Sequence, residues 1–266
     1  MNPGEDSDSI LLMEDYKKRL AVLLAETGAL FFDRDLILKD GRPTPYFINF
    51  GMFRTGRLVM ELGSLFADMI VNHHLAEKTD IILGPSYKGS AIAIASSIAL
   101  YVNHGYDLFF EYDRKEAKTY GEGSKLNSSL VNRTLFDGCR LFIVDDVVTS
   151  MGTKYDLMDK LISETEVSNI SIEWIGLGIA IDREQSTAVY DVEGRVVPDR
   201  RGEDTIGTFV EKTGIPVYSV SGIREVVEYL YQEKVPVLIN GTRRPLDNKT
   251  KDVFDDYLKT YGIEFS

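Results

Sequence analysis

A single cysteine, Cys139, excludes a disulfide within the chain and any zinc site built on a cysteine cluster, and leaves this residue the role of a small buried hydrophobe. Histidine is almost as scarce. His73, His74 and His104 lack the spacing of metal ligands and are expected at the surface. No apolar run approaches the roughly 18 residues of a membrane helix, and residues 1–9 are polar and acidic, without the apolar stretch of a secretion signal. Residence in the cytoplasm is the expectation, under which the Asn-x-Ser/Thr triplets at Asn127, Asn132, Asn240 and Asn248 are chance matches. Basic residues are outnumbered, 30 against 42 acidic ones, and a net charge of −12 argues against general binding to nucleic acid or anionic membranes. Any local basic loop in so acidic a chain therefore stands out. Repeats and low-complexity linkers are absent as well. The 266 residues, 44% hydrophobic and 27% charged, are enough for the full core of a soluble globular protein, one domain with an appendage.

The most informative stretch is 141–153. Four apolar residues, Leu141, Phe142, Ile143 and Val144, run into Asp145 and Asp146, then into Val147, Val148, Thr149, Ser150, Met151, Gly152 and Thr153. The apolar run fits a buried strand, and Leu157, Met158, Leu161 and Ile162 behind it have helical spacing. The loop between them thus sits at a helix N-terminus, where unpaired N–H groups and the helix dipole favour a phosphate. Two adjacent carboxylates can accept hydrogen bonds from two neighbouring hydroxyls, and a ribose 5-phosphate presents that combination. Taken alone, the loop fits an ordinary strand-to-helix turn equally well.

Elsewhere helices and strands alternate, which predicts an α/β fold with a parallel sheet and helices on both faces. The spacing predicts helices over 10–26, 56–72, 90–102, near 206–212 and over 223–231, and strands over 81–83, 108–112, 141–144, 170–181 and 217–220, with short strands between 29 and 50. In such a sheet ligands bind beyond the carboxyl ends of the strands. The Asp pair, a turn from Gly84 to Gly89, the Asp182-Arg183 pair and a basic stretch after Tyr112 all fall there, although they are far apart in sequence.

These segments carry a resemblance. The Asp-pair loop resembles the phosphoribosyl pyrophosphate (PRPP) loop of the type I phosphoribosyltransferases. Asp113-Arg114-Lys115-Glu116-Ala117-Lys118, followed by Gly121-Glu122-Gly123, is similar to the catalytic loop of the orotate phosphoribosyltransferases. Residues 38–51 and 84–89 match the same family in order, and the likeness spans about 29–231. It implies a phosphoribosyltransferase domain over 29–235 with a small N-terminal hood, an N-terminal helix over 1–28 and a C-terminal extension over 236–266. It further implies transfer of a phosphoribosyl group from PRPP to orotate with Mg²⁺ held by PRPP and water, not directly by the protein. Asp145 and Asp146 would hold the ribose hydroxyls and residues 149–153 the 5-phosphate, with Val147 and Val148 also binding PRPP. Tyr87, Lys88 and Lys39 would contact PRPP, and a cis peptide is implied at Ser86–Tyr87. Arg114, Lys115, Lys118 and Tyr120 would form the catalytic loop, which in relatives reaches the neighbouring site of a homodimer. Phe47, Ile48, Thr149 and Arg183 would bind orotate.

The chain departs from the family pattern in three places. The cradle carries one residue more than usual, Ser150 or Met151; Tyr120 stands where many relatives have histidine; and 185–204 is long, with 198–202 reading as an exposed hairpin or lid. A regulator that binds PRPP without catalysis would not need the lysine-bearing loop. Transfer to another base would conflict with Phe47, Ile48 and Arg183.

Overall fold

The computed structural model describes residues 13–115, 129–148 and 151–263. Its contacts divide the chain into two compact units, one of residues 1–54, 181–208 and 221–266, the other of 55–180 and 209–220.

In the first unit, helix α1 (Asp15–Thr27) buries Leu20, Ala21, Leu24 and Ala25, residues three and four apart that form one apolar stripe. Gly28 ends it in the left-handed region at φ 70°, a conformation that costs glycine nothing. Strands β1 (Leu30–Ile37) and β2 (Pro43–Ile48) pair antiparallel, Leu30 opposite Ile48 and Phe31 opposite Phe47. Residues 237–261, assigned in the sequence to an extension, belong to the same unit: β8 (Val237–Ile239) runs parallel to β1, and β9 (Thr242–Arg244) returns against β8. The sheet order is β2-β1-β8-β9, which leaves β2 at an edge. A last helix, Asn248–Tyr261, caps its N-terminus with Asp247 and packs Phe254 edge-on to the rings of Phe32 and Tyr46. In the stretch 185–204 the tight turn lies at 191–195, where Asp191 Oδ1 accepts the N–H groups of Glu193 and Arg195. Residues 198–202 are not the hairpin tip: Asp199 N–H donates to the Tyr261 hydroxyl and Arg201 to the Lys259 carbonyl.

The second unit is built on a five-stranded sheet of order β4-β3-β5-β6-β7, namely β3 (Ile81–Gly84), β4 (Phe109–Tyr112), β5 (Cys139–Val147), β6 (Ile172–Asp182) and β7 (Val217–Gly222). Strand β3 is parallel to both β4 and β5. The continuous apolar runs of β3 and β5 are fully buried, as strands covered on two faces require. Helix α2 (Gly56–Asn72) starts where the Thr55 hydroxyl accepts the Leu58 N–H, and its stripe Leu58, Leu62, Leu65, Phe66, Met69 and Ile70 is buried. Helix α3 (Lys88–His104) follows β3 and α4 (Gly152–Ser168) follows β5; α5 (Thr205–Thr213) and α6 (Ile223–Gln232) flank β7 in sequence. Cys139 is buried. His104, expected at the surface, is half-buried and bonded to Asp68 of α2, 3.0 Å away. No helix among the described residues is long and apolar enough to cross a membrane.

Candidate functional site

Because β3, β4 and β5 are parallel, the segments that follow them leave from one edge of the sheet, and these are the segments singled out in the sequence. After β3 the chain turns sharply through Gly84 to Gly89. A Cβ at Gly84 would lie 1.9 Å from the Gly89 carbonyl oxygen, and one at Gly89 would lie 2.5 Å from Pro85, so the turn admits neither. The Ser86–Tyr87 peptide is cis, as the resemblance implies. Tyr87 is exposed and carries the Lys115 ammonium 4.4 Å from its ring centre. Lys88 opens helix α3, and its ammonium lies 2.7 Å from Asp146 Oδ2.

Strand β5 runs three residues further than the sequence suggests and includes the Asp pair. Both carboxylates are buried, and each accepts the N–H of the residue after it, Asp146 N on Asp145 Oδ1 and Val147 N on Asp146 Oδ1. Asp145 also receives the Lys154 ammonium at 2.5 Å. Burial pushes the Asp145 carboxyl up, and the Lys154 charge acts against that rise. Val148 and Met151 are buried while Gly152 and Thr153 are exposed in the first turn of α4, where helical N–H groups have no intrahelical partner. Thr149 and Ser150 lie outside the described residues, as do Lys118 and Tyr120.

At the end of β4, Arg114 donates its N–H to the Ser129 carbonyl at 2.6 Å and its Nε to the Leu130 carbonyl at 3.3 Å. Glu111, fully buried, accepts the N–H groups of Tyr112, Val131, Asn132 and Thr134 and the Thr134 hydroxyl. Together they fasten the residues on either side of 116–128 to β4.

Of the residues expected to read the base, Phe47, Ile48 and Arg183 lie in the first unit. Arg183 is 5% exposed, its guanidinium carbon 5.1 Å from the centre of the Tyr46 ring, and its Nε and Nη2 make no hydrogen bond among the described residues. A buried cation with two unspent donors costs free energy unless an anion meets it, and a planar carboxylate fits such a fork. Tyr46 is held from behind by Gln185, which also receives the Tyr257 hydroxyl. Phe47 is half-buried and Ile48 buried on edge strand β2, where alternate backbone groups point away from β1. Lys39 is exposed on the turn between β1 and β2. Next to Arg183, Glu184 accepts the Arg224 N–H at 3.0 Å in the first turn of α6, and burial pushes its carboxyl up to about 7.

Sequence reasoning missed Lys154, Glu184 and Tyr46. Nothing in apolar spacing marks a lysine or a glutamate as buried. Tyr46 lay inside a quoted motif but looked like one more strand residue.

No family model matches the chain. Among curated proteins it is 34% identical over 253 residues to the orotate phosphoribosyltransferase of Clostridium beijerinckii, covering 95% of this chain and 100% of that one. The orotate phosphoribosyltransferase of Bifidobacterium adolescentis is 31% identical over 249 residues, covering 92% of this chain and 96% of its own. Among solved structures, the orotate phosphoribosyltransferase of Francisella tularensis superposes with a TM-score of 0.67 at 24% identity, over 91% of this chain and 98% of that one. The UMP synthase of Leishmania donovani gives 0.62 at 18% identity, over 92% of this chain and 42% of that one. At these identities the two structures speak for a shared fold.

Proposed function

The chain belongs to the orotate phosphoribosyltransferase family, and on that premise we propose how its residues divide the work of the reaction. The enzyme transfers the 5-phosphoribosyl group of PRPP to orotate, giving orotidine 5′-monophosphate and pyrophosphate in pyrimidine biosynthesis. A ring nitrogen of orotate forms a bond to the anomeric carbon as the bond to the diphosphate oxygen breaks, and the pyrophosphate departs with the electron pair. Such a transfer needs positioning and stabilisation of charge more than a covalent nucleophile.

Asp145 and Asp146 accept the ribose hydroxyls, and their charge favours the positive charge that develops on the ribose ring. Residues 149–153 cradle the 5-phosphate at the start of α4, and Val147 and Val148 also bind PRPP. Tyr87 and Lys88 meet the leaving diphosphate, Lys39 contacts PRPP, and the catalytic loop of Arg114, Lys115, Lys118 and Tyr120 supplies the cations that neutralise charge as the bond breaks. Phe47 and Ile48 offer edge-strand backbone to the pyrimidine, Thr149 adds a contact, and Arg183 takes the orotate carboxylate. The observation that carries this assignment is the Lys88–Asp146 pair, which sets a cation for the diphosphate beside the carboxylates for the ribose. The unspent donors of buried Arg183 support the choice of base.

Mg²⁺ enters this reading with the substrate. The hard oxygen donors of Asp145 and Asp146, next to Lys88, suit a PRPP whose own oxygens and waters carry the ion. When bound, it offsets the negative charge of the diphosphate. The reading also includes a cytoplasmic homodimer in which the catalytic loop, anchored on its own subunit at Asp113, reaches the neighbouring subunit's site. The test follows the consumption of orotate with PRPP and Mg²⁺ beside adenine, hypoxanthine and uracil. Orotate alone should be consumed. Equal use of another base would refute the assignment of Arg183, and PRPP binding with no base consumed would favour a regulator.

A further inference from the structure

Asp113 closes strand β4 and is 6% exposed, yet neither of its side-chain oxygens serves β4. Oδ1 accepts the Ser86 N–H at 2.6 Å, and Oδ2 pairs with the Lys160 ammonium from helix α4. The Ser86 hydroxyl donates to the Asp113 carbonyl and lies 3.2 Å from the Ser90 hydroxyl, while Lys160 also reaches the Arg114 carbonyl at 3.4 Å. Both hydrogen-bond donors of Ser86 are thus spent on Asp113, a residue 27 positions away that the parallel register of β3 and β4 brings alongside. Ser86 stands two residues before Lys88, in a turn whose glycines admit no side chain.

We propose that Asp113 is a positioning residue for the transfer reaction: it holds the 84–89 turn in the shape that delivers Lys88 to the leaving diphosphate, and Lys160 balances its charge. A carboxylate bonded to a backbone N–H is roughly twice as strong a tie as a neutral pair, and here it joins the end of one strand to the end of its neighbour. The cation of Lys115 over the Tyr87 ring makes a second, weaker tie between the same two segments. The inference rests on the reading of 84–89 as the diphosphate-binding turn.

The test measures binding of inorganic pyrophosphate with Mg²⁺ to the full chain by calorimetry, alongside the KM of orotate. In Asp113→Asn one acceptor oxygen must serve two donors, Ser86 N–H and Lys160, so pyrophosphate should bind roughly tenfold more weakly. The orotate KM should stay within about twofold, a split that general loosening of the fold does not produce. Asp113→Asn/Lys160→Met removes the competing donor and should recover affinity to within about threefold of the parent. Parental affinity in Asp113→Asn, equal losses for both ligands, or no recovery in the double variant would each overturn the proposal. Should Asp113→Asn fail to fold, Ser86→Ala removes the companion bond from the Ser86 hydroxyl to the Asp113 carbonyl and should cost about threefold in pyrophosphate affinity, with no loss counting against it. Lys88→Ala separates the two levels of inference. If it binds pyrophosphate as the parent does, the functional reading of the turn fails; if it is weakened while the Asp113 variants are not, only the positioning role fails.

Discussion

Lys154→Met should cost far more than its place on a polar-looking helix suggests, and the cost should depend on pH. The side chains of Lys154 and Asp145 are 4% and 11% exposed, with the ammonium 2.5 Å from the carboxylate. Methionine keeps most of the apolar stem and removes the charge, which leaves Asp145 buried beside Asp146 without a counter-ion. Breaking a buried pair from one side costs about 3–5 kcal/mol, against about 1 or less for an exposed pair, and burial decides between the two. For a chain of this size each kcal/mol moves the melting temperature by about 2–4 °C, so a fall on the order of 10 °C is expected near neutral pH. Burial already pushes the Asp145 carboxyl up, and losing Lys154 pushes it further. An acid raised in the native state holds its proton more tightly there than when unfolded, so its stabilising contribution is full at low pH and is lost as pH rises through the native value. The deficit of the variant should therefore shrink from pH 8 to pH 5, and the acid limb of its kcat/KM profile should move to higher pH, because a protonated Asp145 accepts ribose hydroxyls poorly. Thermal melts of the parent, Lys154→Met and Asp145→Asn/Lys154→Met at both pH values check this. A deficit that is the same at pH 5 and pH 8, or a double variant no more stable than the single one, would refute the reasoning.

Arg183→Ala should raise the orotate KM much more than that of PRPP, by a loss of about 2–5 kcal/mol in kcat/KM, and orotate kinetics unchanged within experimental error would remove Arg183 from the base site. Glu184, whose carboxyl burial pushes up to about 7, weakens the fold as pH rises from its ordinary value through 7. Glu184→Gln does not titrate, so its stability relative to the parent should increase between pH 5 and pH 8 by on the order of 3 kcal/mol in denaturant unfolding; a constant difference would mean that the carboxyl does not titrate there. Lys118→Ala should lower kcat by about 10²–10³ with little change in PRPP affinity. Hybrid dimers of Lys118→Ala with Asp146→Ala subunits should regain activity, and their remaining inactive would assign the loop to its own subunit.

Much of the fold could be read from local pattern. The stripe of α2 put the helix over Gly56–Asn72, and the unbroken apolar runs of β3 and β5 marked buried parallel strands. The Asp pair could be read because phosphate chemistry favours such a loop at a helix start, and the Gly84–Gly89 turn through its resemblance to the family. Other features needed the tertiary structure. Strand β8 is three residues long, too short to show a period, and becomes a strand only through its pairing with β1, some two hundred positions away in sequence. The last helix has a clear apolar stripe, but the rings that Phe254 packs against are strand residues from the other end of the chain. Lys154 and Glu184 look like solvent-facing charges, and only their partners Asp145 and Arg224 make their buried places tolerable. Periodicity records which face of an element is apolar. It carries no term for the distant group that meets a given side chain, and a charge is stable inside a protein only when that group is there.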